Sequence, residues 1–514
     1  MPQLRRTLPV LQTGAPTSAA TEFVRSAVTQ LAPHAVHREL ARDGALGIYD
    51  DNRLIAYSNP TTGQSHVIPL LDGLQPNRSL RTVANAGIRN LLTEQSHLFD
   101  DDVSRVVAGK PISLMASNHT RRGTRTTAAE VLSVVKLRRQ VGNVPVFGPG
   151  SSASAAFSHN GMEAFNHRWS TATLSGDRIE AHPPRAIVER VVEHLGELPA
   201  QREVQLRDIK VAYFDDGKGT LQPVYRYRVT LPSKDGVTAP GMLVGYVPIG
   251  ELVADLPSLY PTLTNLPKQA LQNVRLPRPY TGTTVGRYVV REDNDGWVAS
   301  ANSFWDGVSS GAASVPGGPS FKDSQYYWAE PRLFLDEKDS FVNSVNLALT
   351  EVHGNWGLFS TYKNYGDLVR LSDIPSTGYG GDARGALAYW IVHSCEVIPT
   401  QTDETTSFDV WWNIFNGLHA AMGYRTEMWI NDEVSAAFGN LVGLGASVVS
   451  SWLNTVINDN DYQSGDTYFD DNRNMTEPMG RPAAVAVTGH GDDTAMMIDP
   501  LPKPSSLTEW WFDN

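Results

Sequence analysis

Two apolar runs, each stopping on a reactive side chain, constrain this chain more than any other feature. Val345-Asn346-Leu347-Ala348-Leu349-Thr350-Glu351-Val352 reads as a buried strand that ends on His353-Gly354-Asn355. Leu387-Ala388-Tyr389-Trp390-Ile391-Val392 reads as a second, ending on His393-Ser394-Cys395. The separation of His353 and Cys395, 395 − 353 or 42 positions, fits a parallel crossover between neighbouring strands. In open α/β sheets ligands bind beyond the carboxyl ends of the strands, so chemistry is expected there.

The residues beyond Cys395 continue the pattern. Phe408, Trp411, Trp412, Phe415 and Leu418 fall at helical spacing over Ser407 to Leu418, Gly423 to Ile430 reads as the next strand, and Asp432 opens a helix through Val434, Ala437, Phe438 and Leu441. Gly443 and Gly445 punctuate a last helix carrying Val448, Val449, Trp452 and Leu453. The apolar run Ala483 to Val487 leads to His490-Gly491-Asp492-Asp493, which is expected to line the same end of the sheet as Cys395. An α/β domain over residues 286–514 is the expectation.

The N-terminal half reads differently. Residues 1–125 mix short apolar runs with turns, as in Gly44 to Tyr49 running into Asp50-Asp51-Asn52. From Thr126, Ala128, Val131, Leu132, Val135 and Leu137 predict a helix stopped by Gly142-Asn143. Asn160-Gly161 between extended runs predicts a hairpin, Pro183 to Leu195 a helix, and Ile209 to Phe214 with Pro223 to Val229 a second hairpin across Asp215 to Gly219. These make an α+β unit over residues 126–250. Pro257, Pro261, Pro267, Pro277 and Pro279 then mark a linker over residues 251–285.

With 514 residues the chain has room for at least two cores, and 12 Trp with 18 Tyr give it enough apolar surface to fold. A net charge of -12 argues against nucleic acid, whose phosphates need clustered Lys and Arg. No stretch has the roughly 18 apolar residues of a membrane span, so a soluble chain is expected. Met1 to Thr13 carries Arg5 and Arg6 without the apolar run of a secretory signal, so export is not written into this segment. A single cysteine forbids an internal disulfide and leaves the redox compartment open.

A Cys/His pair needs an imidazole placed to take the thiol proton, together with amide donors for the developing oxyanion. His353 and Cys395 offer the pair, and Gly354, lacking a Cβ, offers its N–H beside that of Cys395. His393 points to the same strand face as Cys395 and is a possible accessory base or ligand, as is Glu396. His353, His393, Cys395 and Glu396 also mix N, S and O ligands in a way that suits zinc, without any HExxH or paired CxxC motif. No cofactor is called for, although Asp459, Asp461 and Asp466 in the Asp/Asn-rich tract could bind Ca²⁺ through oxygen ligands.

The segments LALTEVHGN, LAYWIVHSC and GYRTEMWINDEVSAAFG, in that order, resemble the caspase-like cysteine peptidases, the group of gingipains, legumains, clostripain and separase. The resemblance spans roughly Phe341 to Leu453. It implies a layered α/β/α domain with His353 as general base, Cys395 as nucleophile, Gly354 aiding the oxyanion, and a peptide or amide substrate. Glu396-Val397-Ile398-Pro399 departs from the small residues that come after the cysteine in many relatives. Separately, Val144-Pro145-Val146-Phe147-Gly148 after a helix, and Pro223-Val224-Tyr225-Arg226-Tyr227 after another, resemble propeptide modules of secreted metallopeptidases, which implies an inhibitory or chaperone-like N-terminal region. A cysteine hydrolase or acyl transferase is therefore expected. Two alternatives stand beside it: a silent binding module on the same fold, and a biosynthetic enzyme using His353 as acid or base with no covalent intermediate.

Overall fold

The computed structural model describes residues 7–513 except positions 17, 42, 100, 197–198, 200–202, 232–240, 252, 258–281, 291–295, 328, 362–366, 382–384, 399–407, 429–431, 460–466, 470–474 and 479. Most of the Pro-rich linker lies outside the described residues. Strand Thr7–Thr13 (β1) and helix Ala19–Leu31 (α1) precede a meander of Leu46–Asp50 (β2), Arg53–Asn59 (β3) and Gln64–Val67 (β4). Its first turn holds Asp51 and Asn52 at positive φ, which short polar side chains tolerate. Helix Leu80–Glu94 (α2), strand Ile112–Thr120 (β5) and strand Ala129–Val141 (β6) come next.

Strand β6 corrects the helix expected from Thr126. Val131, Leu132 and Val134 enter one core and Val135 and Leu137 another, so both faces of the strand are covered. A strand buried on both faces loses its period-two alternation, and its β-branched valines then favour the extended form. The Asn160-Gly161 hairpin forms as expected between Ser151–Ser158 (β7) and Gly161–Trp169 (β8). Beyond Ala172–Glu180 (β9), helix Pro184–Leu195 (α3) and the hairpin Gln205–Asp215 (β10) with Thr220–Leu231 (β11) also fall where their spacing puts them. Gly241–Pro248 (β12) pairs with β11, and β1 pairs with both β9 and β11.

In the C-terminal half, strands Thr283–Val289 (β13), Phe321–Tyr327 (β14), Leu347–Glu351 (β15), Tyr389–His393 (β16) and Ala420–Tyr424 (β17) form a parallel sheet in the order β14, β13, β15, β16, β17. Pro482–Val487 (β18) and Ser506–Asp513 (β19) extend it antiparallel. Strand β19 then pairs with β5 from Ser506↔Thr120 to Asp513↔Ser113. Because β5 pairs with β6 and the pairing continues through β7, β8, β4, β3 and β2, one mixed sheet crosses the expected domain boundary. The buried pair His119–Glu509, Nε2 to Oε1 at 3.0 Å, sits on this seam. The α/β class is as expected, with a large mixed sheet.

Helices Trp297–Ser314 (α4), Asp432–Gly443 (α5) and Val448–Asn458 (α6) cover one face of the parallel strands. Helices α4 and α5 meet backbone to backbone through Gly307, Gly311, Gly439 and Gly443, and a Cβ at Gly439 would strike the Phe304 carbonyl. The opposite face is covered by loops and short helical turns; among the described residues it carries no long helix. The helix expected over Ser407 to Leu418 is a single turn, Trp411–Ile414, after a 3-10 turn at Phe408–Val410. Trp411, Phe415 and Leu418 still reach the core, and their spacing alone does not separate a turn plus a tail from a helix. The strand expected at Gly423 to Ile430 lies earlier, at Ala420–Tyr424. No helix among the described residues is long and apolar enough to cross a membrane.

Candidate functional site

Strands β15 and β16 pair in parallel with Glu351 opposite His393, an offset of 393 − 351 or 42, the same as that between His353 and Cys395. Strand alternation puts Glu351, His393 and Cys395 on the face covered by α4 and α5, and the His353 ring meets Trp297 of α4 edge to face at 4.5 Å. Both sequence-chosen residues therefore lie just past neighbouring strand ends, on the helical face.

The loops that carry them are held together closely. Gly354 is buried, and a Cβ there would strike Ser394 Oγ and Val397, so only glycine lets the two loops approach. The Gly357 N–H donates to the Glu396 carbonyl at 3.2 Å. Trp356, at φ 31°, and Glu396, at φ 51°, both sit in the left-handed region that side chains of their size disfavour. Strain of this kind costs on the order of 1–3 kcal/mol per residue and clusters at functional sites.

Beneath the loops lies a buried polar layer. His393 Nδ1 is 2.8 Å from Glu351 Oε2, Ser300 Oγ donates to Glu351 Oε1 at 2.7 Å, and Ser300 and Ser435 hydroxyls are 2.7 Å apart. Tyr424 Oη is 3.5 Å from His393 Nε2. His393 is thus committed to a carboxylate. Ser300 and Ser435 carry no spacing signal, and only the packing of α4 on α5 reveals them.

Cys395 is 3% exposed. Its Sγ accepts from the Met428 N–H at 3.4 Å and faces the Met428 carbonyl at 3.6 Å. Burial, and then the charge of Glu427, push the thiol well above its usual range, so the resting sulfur is protonated. Burial also pushes the Glu427 carboxyl up to about 7, and its buried Oε2 has no hydrogen-bond partner among the described residues.

The zinc reading of His353, His393, Cys395 and Glu396 is corrected: no three of them bring ligand atoms within 4.8 Å of one another. Of the calcium candidates, Asp461 and Asp466 lie outside the described residues. Asp459 caps α6, and its carbonyl accepts from the Lys136 ammonium.

The tetrad His490 to Asp493 is also corrected, because β18 runs antiparallel to β17 and delivers it to the amino end of the parallel strands, opposite Cys395. There it meets His419, which immediately precedes β17. His419 Nδ1 lies 2.6 Å and His490 Nδ1 2.9 Å from the same Asp493 Oδ2, and His419 Nε2 lies 2.8 Å from the Asp499 carbonyl. Elsewhere, an open cleft of about 810 Å³ between the N-terminal strands and helices α4 and α5 is lined by Tyr57, Arg168, Asp306, Glu433 and Asn440. Neither His353 nor Cys395 contributes to its wall.

Comparison with known proteins places these residues within one matched segment. No curated protein sequence matches the chain. Among solved structures, an uncharacterized protein from Eubacterium rectale ATCC 33656 is similar at 11% identity and a TM-score of 0.31, over 48% of this chain and 86% of that one. The C-terminal domain of YpeB from Bacillus megaterium is similar at 14% identity and a TM-score of 0.20, over 46% of this chain and 95% of that one. Residues 329–493 match a family described as a domain of unknown function (DUF6345), a span that holds His353, His393, Cys395, His419, His490 and Asp493.

Proposed function

We propose that the carboxyl end of β15 and β16 is an acyl-transfer site on a caspase-like fold, acting on a peptide or another amide. The supporting observation is the shared offset: His353 and Cys395 each lie two positions past a parallel register pair, on the face that α4 covers. His353 takes the Cys395 thiol proton as Sγ bonds to the amide carbonyl carbon. The amine leaves with that proton, and water or a second amine then opens the thioester. A protonated resting thiol makes His353 indispensable, since no preformed thiolate exists to attack alone. The two positive-φ residues favour the same location. Strand β5, paired along the whole of β19, supports a scaffold role for the N-terminal half over that of a removable inhibitor.

A panel of peptidyl-coumarin amides tests this on the full chain. Turnover of at least one is expected, with losses of about 100-fold or more in both His353→Ala and Cys395→Ser. Activity kept in Cys395→Ser but lost in His353→Ala would instead establish acid or base catalysis without a covalent intermediate. Burial of Cys395 favours a second reading, a silent binding module. Absence of turnover across the panel, with slow alkylation of Cys395 by iodoacetamide near pH 6, would support that reading.

A further inference from the structure

At the amino end of the parallel strands two imidazole nitrogens converge on one carboxylate oxygen. The His419 Nε2 faces the Asp499 carbonyl at 2.8 Å, and a carbonyl can only accept, so the Nε2–H donates to it. On the other side of the ring, Nδ1 lies 2.6 Å from Asp493 Oδ2. The other neighbour of Nδ1 is the Tyr389 hydroxyl at 3.5 Å, but its proton is directed to the carbonyls of Thr494 at 2.8 Å and Met497 at 2.9 Å. His419 is 2% exposed, so its Nδ1 faces Asp493 and not bulk water. His490 Nδ1 reaches the same Asp493 oxygen at 2.9 Å, and the three ligand atoms all lie within 4.8 Å of one another.

We propose that His419 Nδ1, His490 Nδ1 and Asp493 Oδ2 bind a divalent transition cation of the zinc class. Two imidazoles and one carboxylate are the donor set such a cation prefers, and three protein ligands leave a position for solvent. The outer shell is already built, because a metal-binding histidine ordinarily donates its second N–H to a carbonyl, as His419 does to Asp499. The loop is fixed from several sides: Val448 N–H donates to the Asp493 carbonyl, and Asp72 and Asp492 each accept from backbone N–H groups of the other's segment. His490 is 35% and Asp493 14% exposed, so the cation has a route in. This site lies at the opposite end of the sheet from Cys395 and does not depend on the acyl-transfer reading.

Full-length protein, stripped with EDTA and dialysed, is titrated with ZnCl₂ against a chromophoric zinc indicator, with the melting temperature followed in parallel. One equivalent taken up below about 1 µM is expected, with a rise in melting temperature as the cation binds the folded state alone. His490→Ala and Asp493→Asn each weaken uptake at least about tenfold, since losing an outer-shell partner alone costs 10–100-fold. Cys395→Ser keeps uptake intact. The proposal is overturned if wild type takes up no zinc at about 100 µM, if both ligand variants bind as wild type does, or if Cys395→Ser abolishes binding.

Discussion

The two ends of the parallel sheet both gather histidines and acids, yet they treat them oppositely. At the carboxyl end, Glu351 and His393 lie 2.8 Å apart inside the core, with the Ser300 and Ser435 hydroxyls packed beside them. At the amino end, Asp493 Oδ2 faces two imidazole nitrogens at once, and His490, which carries one of them, is 35% exposed. A network sealed in the core supports a neighbouring reactive group, whereas one with solvent-facing members is open to a ligand. The comparison teaches that the same residue types serve as foundation or as receptor according to whether they are sealed in the core or reach solvent.

The largest expected effect comes from breaking the closed network. Glu351→Ala leaves His393 buried without its carboxylate, and removing one partner of a buried pair costs about 3–5 kcal/mol, measurable by urea unfolding. A smaller loss would mean that the network is less closed than its distances indicate.

Next comes Glu427, whose folded carboxyl is raised to about 7 from an ordinary 4.5. The native state therefore holds a proton that the unfolded chain has released, so stability falls as pH rises from about 4.5 to 7, by on the order of 3 kcal/mol. Glu427→Gln removes that slope. It also removes a charge that raises the Cys395 thiol, so alkylation at pH 8 quickens relative to wild type. An unchanged slope in the variant would place the titration elsewhere.

The smallest effect belongs to the open end. In metal-free protein His490→Ala, at a side chain 35% exposed, lowers stability by less than about 1 kcal/mol and leaves Cys395 alkylation as it was. A loss as large as that of Glu351→Ala would show the amino end to be structural.

Much of the carboxyl end was legible in the sequence. The apolar runs gave β15 and β16, and the 42-residue offset anticipated their register. The polar layer beneath was not, because Ser300 and Ser435 meet only once the glycines of α4 and α5 bring those helices together. His419 stood just before an apolar run, and His490 three residues before Asp493, but only the antiparallel register of β18 on β17 joins them. Strand β6 was misread because its two buried faces hid its period. The passage of the sheet between the halves rests on β5 pairing with β19, between segments far apart in sequence, and no local pattern encodes it.

The most direct test of the acyl-transfer site is to treat the full chain with a panel of electrophilic peptides, such as peptidyl acyloxymethyl ketones, and to map adducts by mass spectrometry. The account predicts an adduct on Cys395 that disappears in His353→Ala, while the same variant, once denatured, still alkylates fully at Cys395. An adduct that forms equally well without His353, or no adduct on the folded chain from any peptide, would contradict it.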